Sequence, residues 1–345
     1  MSQTNKEGFV SLTDLVDFTP RQDEAFESMF KHTFTLYGGA RGGGKLLDIN
    51  TPIPTPYGWN RIVDLNAGDQ VFGSDGEVCT VQWRSEPEYD KTYDLYFSDG
   101  SVIRAGASHQ WVTETRADRQ SGKRRTEEYR AHRRATRRSR GNGKRPDLAL
   151  RNSTQIYSYL DKPTPGIRTT QEIVDTLTVG NQGEHNHAIL TCKPLCLPDA
   201  NLPIDPYVLG AWLGDGTSTS GDITGIDREI FDEIEKSGYV VSVRNNNTFG
   251  ILKLKGLLRD IGVLSNKHIP IKYLRASLPQ RLALLQGLMD TDGTVDERGH
   301  CSFTNTNKQL VDGVYELIVS LGIKTTVHES RAKLYGKDCG AVYDM

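Results

Sequence analysis

Asp215 and Asp292 stand 77 residues apart, each as the penultimate residue of a nine-residue pattern, VLGAWLGDG at 208–216 and LQGLMDTDG at 285–293. Each pattern is an apolar, helix-forming run that stops at Asp-Gly. A carboxylate at the negative end of a helix offers oxygen to a hard cation such as Mg2+. Two brought together suit metal-assisted cleavage of a phosphodiester. For them to meet, the helices must touch closely. Residues three and four apart share one helix face, so Gly210 and Gly214 form a flat strip, and Gly287 and Thr291 do the same in the second copy. Asp-Gly after an apolar run also serves as an ordinary helix C-cap and turn. Recurrence of the whole pattern points instead to one supersecondary unit, duplicated.

The elements around the two copies repeat as well. After the first, strand-like residues 222–225 precede a helical run at 227–236, then strands at 239–244 and 250–255 around the turn Asn245-Asn246-Asn247. After the second come a strand at 301–306, an amphipathic helix at 308–321 and a strand at 324–328. LQGLMDTDG resembles the LAGLIDADG signature at six of nine positions, with both acids and both glycines in place. Lys267-His268-Ile269-Pro270, ahead of the second copy, is similar to that family's spacing. The resemblance is to the LAGLIDADG homing endonucleases. It implies Asp215 and Asp292 as catalytic residues and Mg2+ ligands, and double-stranded DNA as partner. It also implies a monomer with two pseudo-symmetric repeats, each laying strands over the major groove. Arg244, Lys253, Lys255, Lys324 and Lys333 are candidate DNA contacts, although any one of them also reads as a solvated charge.

The front of the chain carries a different motif. Residues 34–37 are strand-like and lead into Gly38-Gly39-Ala40-Arg41-Gly42-Gly43-Gly44-Lys45, a phosphate-binding loop up to its lysine. Glycines such as Gly39 and Gly44 let backbone N–H groups wrap a phosphate, and Lys45 reaches the outer phosphates. Phe18-Thr19-Pro20-Arg21-Gln22 resembles the adenine-reading segment of viral terminase large subunits, with Gln22 as the base contact. ATP is thereby implied only for a restored host protein. Where Ser or Thr should follow Lys45, the residue is Leu46.

The loop's helix cannot continue, because LLDINTPIPTPYGW at 46–59 holds three prolines, each costing about 3 kcal/mol inside a helix. The run from Thr51, with Gly58-Trp59, Asp64-Leu65, Gly68-Asp69 and Val71-Phe72, resembles the start of an intein. Alternating strands at 79–83, 92–97 and 101–105 suit an all-β splicing domain. Ser108-His109-Gln110-Trp111 falls at the second splicing motif, where the resemblance implies that His109 bonds the upstream scissile nitrogen and favours its loss as an amine. Two positions depart from the pattern: Leu46 carries no nucleophile, and Gly106 stands where the motif has threonine. Three readings stay open: direct attack by a downstream residue, an insert that no longer splices, or a junction elsewhere. Val342-Tyr343-Asp344-Met345 reads either as the last strand of the second repeat or as a downstream splicing motif.

Composition sets the frame. With 42 basic and 44 acidic residues the formal charge is −2, but residues 116–145 hold thirteen Lys or Arg against three acids. That block is either a backbone-binding arm or a solubilising insertion. Five cysteines without a signal peptide fit a reducing cytoplasm, and the resemblances place the chain in a bacterial host cell, phage-encoded. Cys192 and Cys196 have a metal-like spacing with no second pair, and His185-Asn186-His187 is too compact for an HNH nuclease. No apolar run reaches the roughly 20 residues of a membrane span.

The expected fold is multidomain α+β: an all-β Hedgehog/intein (Hint) splicing domain followed by a two-repeat LAGLIDADG α/β endonuclease domain. Residues 1–45 form the host segment with its Walker A loop, 46–115 the splicing domain, 116–150 the basic insertion and 151–200 a connector. Residues 201–345 form the endonuclease, its second repeat incomplete. The leading function is an intein-encoded, Mg2+-dependent double-stranded DNA endonuclease within a terminase host. The alternatives are an ATP-binding DNA-packaging fragment and an inactive DNA-binding remnant.

Overall fold

The computed structural model describes residues 46–119 and 166–345, apart from 86, 88, 181, 246, 298, 335 and 336, with 333 and 334 described in backbone alone. Gln22, Gly39, Gly44 and Lys45, and the basic block from 120 onward, lie outside the described residues.

The described residues between Leu46 and Ala188 make short antiparallel pairs. These are β1 (Pro52–Thr55) with β2 (Gly58–Arg61), β3 (Gln70–Phe72) with β4 (Val78–Thr80), and β5 (Thr92–Tyr96) with β6 (Val102–Gly106). Next come β7 (Gln110–Thr115), β8 (Gly166–Thr169), α1 (Thr170–Asp175), β9 (Thr178–Val179), β10 (Glu184–His185) and β11 (His187–Ala188). β7 is the middle strand between β11 and β8. Residues 166–188, expected in a connector, therefore complete the sheet of the first unit, because both edges of β7 need partners. A capping box of Thr169 and Glu172 starts α1, which puts one short helix into a unit expected to be all strand. Leu65, Val71 and Val81 form its small core, with Ile53 and Cys79 packed alongside.

The second unit holds the larger core. Its first half runs α2 (Pro206–Asp215), β12 (Asp222–Thr224), α3 (Arg228–Lys236), β13 (Val241–Asn245), β14 (Thr248–Ile251) and α4 (Leu254–Asp260). A single turn, α5 (Ile271–Leu274), leads into the second half. That half is α6 (Leu278–Asp292), β15 (Gly293–Val295), β16 (Cys301–Asn305), α7 (Lys308–Ser320), β17 (His328–Leu334) and β18 (Lys337–Asp344). One sheet is ordered β12-β14-β13 and the other β15-β16-β18-β17. Gly216 bridges to Ile223, as Gly293 pairs with Phe303, so the two halves share one topology. Residues 342–344 lie in β18, and Met345 exchanges two backbone hydrogen bonds with Phe303 at 3.0 and 3.1 Å. The strand reading of that segment holds.

The burial explains the helices. α2 is buried on all sides from Pro206 to Leu213, as a central helix must be. α3 and α7 are two-faced, with Ile230, Phe231 and Ile234, and Leu310, Val311, Val314 and Leu317, turned to the core. Each such side chain stabilises the fold by about 1.5–3 kcal/mol.

Residues 189–205 join the units. Lys193 N–H donates to Ser74 O at 3.1 Å, and Cys196 N–H to Gly76 O at 2.8 Å. On the other side Leu195 N–H donates to Ser320 O at 2.9 Å. Arg281, fully buried, donates to Ala276 O, to Ser320 O and Oγ, and to Leu195 O. Its guanidinium thus ties the connector, at Leu195 O, to the second unit, at Ala276 and Ser320.

Candidate active site at the meeting of two helix ends

Both central helices have defined starts. Asp205 caps α2, accepting from Tyr207 and Val208 N–H, with Pro206 at the first turn. Ser277 and Gln280 form a capping box for α6. The apolar runs then extend each helix until Gly216 and Gly293. Neither glycine is left-handed: φ is −73° at Gly216 and −89° at Gly293, both extended. Both still end their helices, each N–H closing onto the carbonyl four residues back, but without the left-handed turn of a glycine cap. Glycine is required there by closeness, since a Cβ at 216 would overlap Trp212 and one at 293 would overlap Met289.

Small residues hold the two helices together. A methyl at Gly210 would strike the Leu284 carbonyl, one at Gly287 the Tyr207 carbonyl, and one at Gly214 the Thr291 hydroxyl. Backbone therefore packs on backbone, as the strip of Gly210, Gly214, Gly287 and Thr291 predicts. Tyr207 OH adds a cross-helix hydrogen bond to Asp290 Oδ2 at 2.9 Å.

This contact brings Asp215 and Asp292 into one electrostatic group. Burial pushes the Asp215 carboxyl above its ordinary range, and the neighbouring Asp292 charge pushes it further. Asp292 is raised by burial too, opposed by a hydrogen bond from Asn305 Nδ2 at 2.7 Å. Lys267 moderates both acids, while burial pulls its own ammonium down. Its Nζ donates to Gly214 O at 2.7 Å and lies 5.3 Å from the centre of the Trp212 ring. Asn307 Nδ2, on the residue that caps α7, grips Lys267 O at 2.8 Å.

A pair of half-buried carboxylates with raised pKa fits a hard dication, whose charge offsets their mutual repulsion. Among the described residues no group of three or more His, Cys, Asp or Glu side chains is placed to hold a metal. Two protein carboxylates would thus leave coordination positions for phosphate and water. Lys267 stood in the sequence as part of a familiar spacing with no role attached. Asn305 carried no signal, because only sheet register turns it toward Asp292.

Other expected residues fall elsewhere. Arg244 pairs with Asp222 at 3.6 Å. Lys324, exposed, donates to Ser98 Oγ of the first unit at 2.7 Å. Asn186 Nδ2 donates to Thr176 O at 2.9 Å and His187 Nε2 meets Thr176 Oγ1 at 2.9 Å, which ties β11 to α1.

The first unit builds a second cluster. Gly106 N–H donates to Leu46 O at 2.6 Å, and His109 N–H donates to Gly106 O at 3.0 Å. Leu47 bridges Ala105, adding a short strand pairing at the start of the described chain. His109 is buried, with its ring edge-on to Trp111 at 4.6 Å. Where a side chain at 106 would project, the Asp90 carboxylate lies instead. The residue after Lys45 and the predicted splicing histidine are thus linked through the backbone of Gly106.

No described helix is long and apolar enough to cross a membrane. Residues 279–340 match the family described as "LAGLIDADG-like domain". The chain is 39% identical over 305 residues to a replicative DNA helicase DnaB of Mycobacterium intracellulare, a match covering 88% of this chain and 47% of that protein. A second replicative DNA helicase DnaB, from Mycobacterium leprae (strain TN), is 35% identical over 92 residues, 26% of this chain and 15% of the relative. The chain spans about half the length of the first relative, and a match that long takes in the stretch holding His109, Asp215 and Asp292. At its C-terminal end the chain therefore carries a LAGLIDADG-like domain, in a mixed fold of small sheets and packed helices.

Proposed function

We propose that this chain is an intein-borne, site-specific endonuclease of double-stranded DNA. The observation that carries this reading is the close packing of α2 on α6, which brings two half-buried carboxylates close enough to feel each other's charge. Asp215 and Asp292 hold the cation and Lys267 offers a positive charge to the phosphate being cut. Mg2+, when bound, supplies Lewis acidity toward the phosphate oxygens and a more acidic water. Burial around Lys267 and the acids limits solvent, which strengthens their field on a phosphate.

The first unit is the proposed splicing domain. In support, Leu46, Gly106 and His109 are joined by two backbone hydrogen bonds. If the chain splices at this junction, leucine there supplies no nucleophile, so a downstream hydroxyl or thiol would attack the Lys45 carbonyl directly, forming an ester or thioester as the Lys45–Leu46 C–N bond breaks and the Leu46 nitrogen leaves as a protonated amine. As to the host, the relatives are named as replicative helicases, which favours a helicase over the terminase expected from residues 18–45.

The endonuclease reading is tested with a randomised duplex library in Mg2+. The wild type should enrich one cleaved sequence, and Asp215→Asn or Asp292→Asn should cut it at least about a hundredfold more slowly. Unchanged cleavage by either variant would remove the metal assignment.

A further inference from the structure

The two repeats differ at one place beside the acids. In the second, Gly293 pairs with Phe303; in the first, Gly216 bridges to Ile223. Two residues past each pairing stand Asn305 and Gly225, and two further on stand Asn307 and Asp227, the residues that open α7 and α3. Register therefore makes Asn305 and Gly225 counterparts. Asn305 Oδ1 accepts the Asn307 N–H at 2.8 Å, which leaves its Nδ2 to donate to Asp292 Oδ2 at 2.7 Å. Gly225 has no side chain to donate, its N–H goes to Asn247 O at 2.9 Å, and among the described residues no hydrogen bond reaches the Asp215 carboxylate.

We infer that Asn305 is a positioning residue that makes Asp292 the better-held of the two metal ligands, so that the two halves of the centre are unequal. This rests on the metal-binding reading of the acid pair. A carboxylate fixed by an amide has already lost the rotational freedom that its partner must give up on binding. Hydrogen bonds behind a metal ligand commonly change affinity by 10- to 100-fold.

The test uses Tb3+ alone, an oxygen-seeking probe, followed by tryptophan-sensitised luminescence on the full chain without DNA. Asn305→Ser keeps an acceptor for Asn307 N–H but cannot reach Asp292. Asn305→Gly copies the first repeat, which folds with glycine at that place. Both should bind Tb3+ about tenfold more weakly than wild type, and Asp292→Asn should lose more affinity than Asp215→Asn. Wild-type affinity in both Asn305 variants, or equal losses in the two Asp variants, would overturn the assignment. Melting in EDTA separates a packing role, since a purely structural Asn305 would lower the melting temperature and leave affinity intact. If wild-type Tb3+ affinity merely equals that of the Asp215→Asn/Asp292→Asn double variant, the metal reading itself fails.

Discussion

At the scale of single residues, the acid pair costs the metal-free protein stability. Both carboxyls are raised above the ordinary value by burial, and Asp215 also by its neighbour's charge. The sign follows from linkage: a folded state that holds its protons to higher pH than the unfolded chain loses stability as pH rises through that window, and the loss persists at neutral pH. Asp215→Asn should therefore melt higher than wild type at pH 7 in EDTA, and Mg2+ should raise the wild-type melting temperature but not that of the double Asn variant. A lower melting temperature for Asp215→Asn in EDTA would contradict this account. Lys267 is the second residue-scale prediction. Its stem is buried and its Nζ is held by Gly214 O, so Lys267→Met keeps the volume and removes the charge. DNA cleavage at saturating substrate should fall by about a hundredfold or more, the scale of losing one preorganised charge stabiliser, while DNA affinity measured in Ca2+ changes little.

At the scale of elements, the helix pair is set by what is missing from it. Gly210 and Gly287 each face a carbonyl of the other helix, so Gly210→Ala or Gly287→Ala forces α2 and α6 apart. Overpacking of this kind costs about 1–3 kcal/mol, measurable by urea unfolding, and the separated acids should lose cleavage more steeply than the fold loses stability. An alanine at Gly256, in α4, meets nothing within 4 Å and serves as the control. Tyr207→Phe removes only the bond to Asp290, for a loss of about 1 kcal/mol. The helix pattern and the glycine strip were legible in the sequence because 3.6-residue periodicity and residue size are local. The extended turns at Gly216 and Gly293 were not, since their need for glycine comes from Trp212 and Met289 folding back over them.

Across the whole molecule, the two units are joined by polar contacts more than by shared apolar core. Arg275, nearly buried, donates to Thr55 O at 2.8 Å and pairs with Glu316 at 2.7 Å, while Trp59 Nε1 donates to the same Glu316 carboxylate at 2.8 Å. Arg275→Ala leaves Glu316 and the Thr55 carbonyl short of a donor, and should raise protease sensitivity of the connector at 189–205. Equal digestion rates for variant and wild type would show that the junction does not depend on this clasp. The connector itself illustrates the limit of sequence reading. Residues 166–188 looked like linker because their strands are two to four residues long, and only pairing with β7 over some 55 to 75 intervening residues reveals them.

The chain by itself determined the duplicated Asp-Gly helices, the glycine strip and the strand–helix–strand core of each repeat, but not the α4 helix at Leu254–Asp260, the strand at Gly293–Val295, or the start of β17 at His328 instead of 324. The features it determined follow from periodicity, residue size and local turn chemistry, which act over a few residues. The tertiary structure alone decided that Lys267 and Asn305 stand behind the two acids, that Lys324 turns to the first unit, and that Asn305 has only a glycine as its counterpart. Those facts depend on register between strands and on burial from distant elements. No local pattern encodes them.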